Sequence, residues 1–171
     1  MRVLLVLSDM RITVLAENTA REGFAAEHGL SLHIRLSDGR RILFDMGQSD
    51  LFVQNARRLG VDLSLVDAAV LSHGHYDHGG GLSHFLALNG HAPVYAHREA
   101  FLPHYSLRYT GMHFIGLDAS LEHHPQVRLC EGLVSFSSGG KIFSLGREKT
   151  DAPPGNRWLY GPDKKKHETF S

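Results

Sequence analysis

Four side chains able to hold a metal ion, His73, His75, Asp77 and His78, stand within six positions of the run Leu71-Ser72-His73-Gly74-His75-Tyr76-Asp77-His78-Gly79-Gly80-Gly81. The run follows Asp67 to Ser72, a short apolar segment of the kind that forms a strand buried on both faces. It precedes Gly81 to Leu88, whose pattern is helical and stops at Asn89-Gly90. A strand feeding a helix through a ligand-rich loop requires an α/β architecture, in which sites form at the carboxyl ends of strands. In extended chain, side chains two apart point the same way, so His73 and His75 can serve one ion. The glycines then permit a turn that brings Asp77 and His78 into the same cleft, an arrangement suited to a second ion and to two-metal hydrolysis. Three imidazoles and a carboxylate fit Zn²⁺ first, and Mn²⁺ or Fe²⁺ as well. A His-rich surface loop would leave so dense a ligand set unexplained. A facial triad or a cupin-type His-x-His site would leave the adjacent Asp77-His78 pair without a purpose.

Around that loop, strands alternate with helices. Arg11 to Ala16 and Leu30 to Leu36 alternate polar and apolar residues, the period of half-buried strands. Ser37-Asp38-Gly39-Arg40 supplies a hairpin turn, and Arg41 to Phe44 is the returning strand, ending at Asp45-Met46-Gly47. Asp50 to Leu59 spaces its apolar residues as a helix does, with Gly60 as its stop. Pro93 to Ala96 reads as a strand and Arg98 to His104 as a short helix. The pattern weakens past Gly111, where Val127 to Leu129, Leu133 to Phe136 and Lys141 to Leu145 read as strands. Residues 147–171 read as a polar loop or tail that includes Lys164-Lys165-Lys166. Met10 offers a second beginning, which makes residues 1–9 an expected upstream extension of a single domain spanning 1–171.

With 171 residues the chain can bury a core of its own. Lys plus Arg and Asp plus Glu both number 18, so no whole-chain basic footprint for nucleic acid or anionic membrane exists. A single cysteine, Cys130, cannot form an internal disulfide and reads as a small buried hydrophobe. No apolar run is long enough to span a bilayer or form a signal-peptide core, and a cytoplasmic protein is expected.

The run His73-x-His75-x-Asp77-His78 resembles the signature of the metallo-β-lactamase superfamily. Thr13-Val14-Leu15-Ala16-Glu17-Asn18, Glu27-His28-Gly29-Leu30-Ser31, Ile42-Leu43-Phe44-Asp45-Met46-Gly47-Gln48 and Val70-Leu71-Ser72-His73-Gly74-His75 follow one another in an order resembling dihydropterin ribofuranosyl-aminobenzene phosphate synthase-like proteins. Tyr95-Ala96-His97 and Ala100-Phe101 continue the likeness, which covers about Ile12 to Leu145. The resemblance implies an αββα sandwich of two βα halves. It assigns His73 and His75 to a first metal, Asp77 and His78 to a second, and Asp45 to the hydrogen-bond acceptor that supports the loop. It also implies a hydroxide shared by two ions, with Asp77 orienting it or taking its proton. Glu17 and Asn18 would line the cleft by the same likeness, and His97, after its strand, is placed to reach substrate.

The family's second half adds another His, a bridging Asp and a final His, often in a Gly-Cys-Ser-His setting, and no such segment is present here. His123-His124 come too early, and His167 lies in a Lys-rich stretch. The chain therefore reads as the N-terminal half of the fold plus the entry to the second, a truncated product whose open sheet edge invites pairing with a second copy. Two functions stay open. One is a metal-dependent hydrolase of a small-molecule ester or phosphate-containing substrate; the other is a catalytically silent metal-binding or assembly module.

Overall fold

The computed structural model describes residues 10–135, 141–143 and 158–163. The chain opens as an antiparallel meander of β1 (Arg11–Ala16), β2 (Ser31–Arg35) and β3 (Arg41–Phe44). Between β2 and β3, Gly39 takes the positive φ of 91° that the turn needs. Helix α1 (Leu51–Arg58) follows and stops at Gly60, whose φ is 69°. Strand β4 (Ala68–Val70) then pairs parallel with β3. The ligand-rich loop contains a single helical turn, α2 (Tyr76–Gly79), and leads into α3 (Leu82–Leu88). β5 (Val94–His97) and, further on, β8 (Val127–Cys130) add parallel strands. The six-stranded sheet runs β1-β2-β3-β4-β5-β8, leaving β1 and β8 as its outer strands.

Strand alternation places Leu43, Ala69 and Val94 in register across β3, β4 and β5, and all three are fully buried. They share one core with Phe52, Val53 and Ala56 of α1 and with Leu82 and Phe85 of α3. Burying each of these large side chains contributes roughly 1.5–3 kcal/mol, so the sheet's helix-covered face is the rigid floor of the molecule. Buried Asn89 ties the end of α3 to the turn before β4, its amide donating to the carbonyls of Leu63 at 3.1 Å and Val66 at 2.9 Å. On β1, Ile12 and Val14 point to the opposite face and are 50% exposed.

The short helix expected over Arg98 to His104 does not form. The segment is a series of turns in which the Ala100 N–H donates to the His97 carbonyl and the Leu102 N–H to the Glu99 carbonyl. Pro103 has no N–H with which to extend them, and the buried Ala100 and Phe101 anchor the turns to the core. Where the sequence pattern weakened, β6 (Tyr105–Arg108) and β7 (Gly111–Phe114) form a hairpin around Gly111, φ 112°. β9 (Leu133–Ser135) and β10 (Lys141–Phe143) form within segments read as strands, and they pair antiparallel. Within the stretch read as a polar tail, β11 (Leu159–Tyr160) pairs with β6. The expected extension at residues 1–9, Lys164-Lys165-Lys166 and His167 lie outside the described residues. Cys130 is only partly buried on β8, its thiol donating to the Ala96 carbonyl at 3.3 Å. Among the described residues no helix is long and apolar enough to cross a membrane.

Candidate metal centre

The site sits at the carboxyl ends of β3 and β4 and is organised by Asp45. This residue, the first after β3, is fully buried and takes a φ of 56°, a left-handed conformation that Asp tolerates better than most residues. Its backbone N–H continues the parallel ladder onto the Val70 carbonyl at 2.9 Å. Its carboxylate accepts three hydrogen bonds, each 2.7 Å long, from the Ser72 N–H, the Ser72 hydroxyl and His78 Nδ1. One buried carboxylate thus grips both ends of the ligand loop. The backbone reinforces it: the Met46 N–H donates to the His78 carbonyl at 2.7 Å, and the Tyr76 N–H to the Ile115 carbonyl at 2.9 Å.

Held this way, the loop stacks its imidazoles. The His73 ring centroid is 4.5 Å from that of His75 and 4.2 Å from that of His78. His75 in turn lies edge-on to His104 at 5.3 Å. Burial first, then the neighbouring His78 and His75, push the His73 pKa down to about 4, so at neutral pH its lone pair is available to a cation. Burial also works to lower His78, but the Asp45 hydrogen bond and the Asp45 and Asp77 charges outweigh it and hold this imidazole above its ordinary value.

The residues fit a divalent metal in three respects. Asp45 fixes His78 through Nδ1 and leaves Nε2 for the cleft, the arrangement in which a metal-binding His hands its other nitrogen to a carboxylate. His78 Nε2 and Asp77 Oδ2 are 3.8 Å apart, a few tenths of an ångström beyond the roughly 3.3–3.4 Å separating two tetrahedral donors that share one ion at bonds of about 2.0–2.1 Å. The donor types are those expected for Zn²⁺. Among the described residues, however, no three His, Cys, Asp or Glu side chains already enclose a common point.

Of the residues expected to line the cleft, Asn18 is linked to the loop by contacts that run through another residue. Its Oδ1 accepts from the Gly29 N–H at 3.3 Å and meets His28 Nδ1 at 2.8 Å, while His28 Nε2 lies 3.3 Å from Asp77 Oδ2. The Glu17 carboxylate is engaged by the N–H and hydroxyl of Thr19 in its own turn. His97 ends β5, and its Nδ1 accepts from the Glu99 N–H at 3.3 Å. His28, Ser72 and His104 are the site neighbours that the pattern of the loop did not single out. His28 carried a signal only through the Glu27-His28-Gly29 segment, while Ser72 lay inside the quoted run and His104 carried none.

The sequence model of the metallo-beta-lactamase superfamily matches residues 27–169. The 7,8-dihydropterin-6-methyl-4-(beta-D-ribofuranosyl)-aminobenzene-5'-phosphate synthase of Methanocaldococcus jannaschii is 34% identical over 102 residues, which are 56% of this chain and 35% of the synthase. Ribonuclease TTHA0252 of Thermus thermophilus is 39% identical over 82 residues, 47% of this chain and 19% of the ribonuclease. The solved structure of Tm1679, described as a metal-dependent hydrolase of the beta-lactamase superfamily, matches with a TM-score of 0.72 at 30% identity, over 94% of this chain and 58% of that one. The chain thus spans less than two thirds of each of these proteins. With the mixed sheet, its helix-covered face and the loop at the strand ends, these matches show that the chain belongs to the metallo-beta-lactamase superfamily.

Proposed function

We propose that the chain carries the N-terminal ligand set of a metal-dependent hydrolase acting on a small-molecule ester or phosphate-containing substrate. The observation that carries this reading is the His73 to His78 loop, clamped at both ends by one buried carboxylate at the exit of a parallel strand. Divalent ions held there, Zn²⁺ first among them, would lower the pKa of a bound water enough for it to attack at neutral pH. In this reading His73 and His75 would hold one ion, and Asp77 and His78 the other. Asp77 would orient the attacking water and take its proton. Asp45 keeps the His78 ring turned, and the core beneath β3 and β4 keeps the loop from following the substrate. The names of the two relatives, a 5'-phosphate synthase and a ribonuclease, support the phosphate half of the reading. The even charge balance supports a small molecule over a nucleic acid or membrane, and the free Cys130 supports a cytoplasmic setting.

The test is hydrolysis of p-nitrophenyl phosphodiester and carboxylic ester substrates by the chain loaded with Zn²⁺ or Mn²⁺. Turnover that His75→Ala abolishes is the expected result; turnover equal in the variant contradicts the site. A second reading is favoured by the absence of a closed three-ligand cage among the described residues. It makes the chain a silent metal-binding or assembly module, pairing with a second copy along β1, whose one neighbour among the described residues is β2. Metal uptake without turnover of any of these substrates, in a chain that sediments as a dimer, is its signature.

A further inference from the structure

Every residue of β1, Arg11 to Ala16, lines one cavity of about 550 Å³, together with the 19–25 segment and with Asn55 and Leu59 from α1 and its cap. Successive strand side chains point to opposite faces, so a cavity that touches all six residues runs along the strand's edge and not over one face. Among the described residues β2 is the one neighbour of β1, so alternate N–H and C=O groups of β1 turn toward this groove. At Leu15 the edge is already engaged: Asn55 Nδ2 donates to the Leu15 carbonyl at 2.8 Å and to the Ala25 carbonyl at 3.0 Å. The length left open is therefore Arg11 to Val14. Arg58 donates to the Gly23 carbonyl at 2.7 Å, so α1 holds the 23–25 segment at two points and the groove is formed before anything enters it.

The groove is apolar along its length and positive at its rim. Ile12 and Val14, each 50% exposed, share it with Phe24 and Leu59. Arg11 is exposed and directly opposite Arg35 of β2, and neither guanidinium has an acidic partner among the described residues. Like charges opposed on neighbouring strands are destabilising until something neutralises them. Arg21 adds a third guanidinium, stacked over the Phe24 ring at 5.0 Å. Glu17, the acid that lines the groove, has its carboxylate engaged by Thr19. We propose that this groove takes an extended acidic segment of a partner protein, which adds a strand to β1. Arg11 and Thr13 face one side of β1 and Ile12 and Val14 the other, so the matching segment alternates acidic and apolar residues. Such a chain supplies N–H and C=O groups at the strand's own spacing, and its side chains supply the charge and the apolar contact. A second copy of this chain fits less well, because its β1 brings Arg11 to a rim that is already positive. The inference goes beyond the metal centre and does not depend on it.

The experiment is fluorescence anisotropy of a labelled heptapeptide that alternates glutamate and valine, titrated with the full chain. Two control peptides accompany it: one with lysine for glutamate, and one N-methylated at every residue, which keeps the charges and removes the amide donors. Saturable binding of the glutamate peptide alone is expected. Arg11→Glu/Arg21→Glu should weaken it about 10-fold or more, while Arg57→Glu, on α1 but outside the groove, should change it little. The N-methylated peptide is tested on the wild-type chain, so its result stands whether or not the double variant folds. No binding, equal binding of either control peptide, or an affinity unchanged in a folded double variant overturns the inference. Binding only by a chain from which residues 1–9 are removed also overturns it, because that segment is then the occupant. A dimer in sedimentation that the glutamate peptide leaves intact overturns it in favour of a second copy.

Discussion

The Asp77-His78 end of the ligand loop and its His73-His75 end lie a few residues apart, yet they are set by different means. At the first, hydrogen bonds and charge do the work: Asp45 meets His78 Nδ1 at 2.7 Å, and His28 meets Asp77 at 3.3 Å. At the second, rings pack on rings, His73 against His75 and His78, and His75 against His104. The difference extends to protons, since His78 is held above its ordinary pKa and His73 is driven down to about 4. One loop thus sets an imidazole whose hold on a proton is weakened by burial beside one whose hold is strengthened by Asp45, with Ser72 between them. The Ser72 hydroxyl donates to Asp45 and also meets His73 Nδ1 at 2.9 Å.

The comparison breaks most completely at Asp45. Asp45→Ala leaves the Ser72 N–H, the Ser72 hydroxyl and His78 Nδ1 without their buried acceptor, and the expected loss is about 3–5 kcal/mol in a urea titration. Asp45→Asn should cost less, because Asn also tolerates the left-handed backbone. A change under about 1 kcal/mol for the alanine variant would mean that the loop is held elsewhere. Gly29→Ala strikes the Asp77 end alone. Its strained φ and the collision with the Asp77 carbonyl predict a loss of about 1–3 kcal/mol, read by the same titration.

Ser72→Ala sharpens the comparison, since it touches both ends at once. It should lower stability by about 0.5–1.5 kcal/mol and weaken both metal events together. Weakening of a single event would separate the two ends entirely. The smallest effect is expected outside the site, at His33. It is buried on β2 with no partner for Nε2 among the described residues, and burial, then Arg41 and Arg35, lower its pKa. The unfolded chain therefore binds a proton that the folded chain refuses. This contribution is complete above about pH 6.5 and is lost as pH falls through the lowered value. His33→Gln should flatten that part of the stability-against-pH curve, and an unchanged slope would contradict the assignment.

Local signals made much of the frame legible. The alternation in Arg11 to Ala16, the Gly39 turn, the Gly60 stop and the apolar Ala68 to Val70 each act within a few residues, and each element lies where that pattern places it. The expected helix at Arg98 to His104 failed because buried turn residues and Pro103 outweighed a helical spacing. The β6–β7 hairpin had only Gly111 to announce it, and β11 depends on a partner strand some fifty residues earlier in the chain. At the site, the loop's own residues were visible as types and spacing. The docking of His28 on Asp77 was not, since it depends on Gly29 meeting a carbonyl that only the parallel β3–β4 pairing brings near. The left-handed turn at Asp45 was hidden for the same reason, because its carboxylate is satisfied only once β4 lies beside β3.

The most direct test of the central claim, that the His73 to His78 loop holds metal, is elemental analysis of the chain purified without chelator, beside the His73→Ala/His75→Ala and Asp77→Ala/His78→Ala double variants. The account predicts divalent metal bound to the wild-type chain, about two ions at full loading, with each double variant losing one of them. Metal content that is absent from the wild type, or unchanged in both variants, would contradict it.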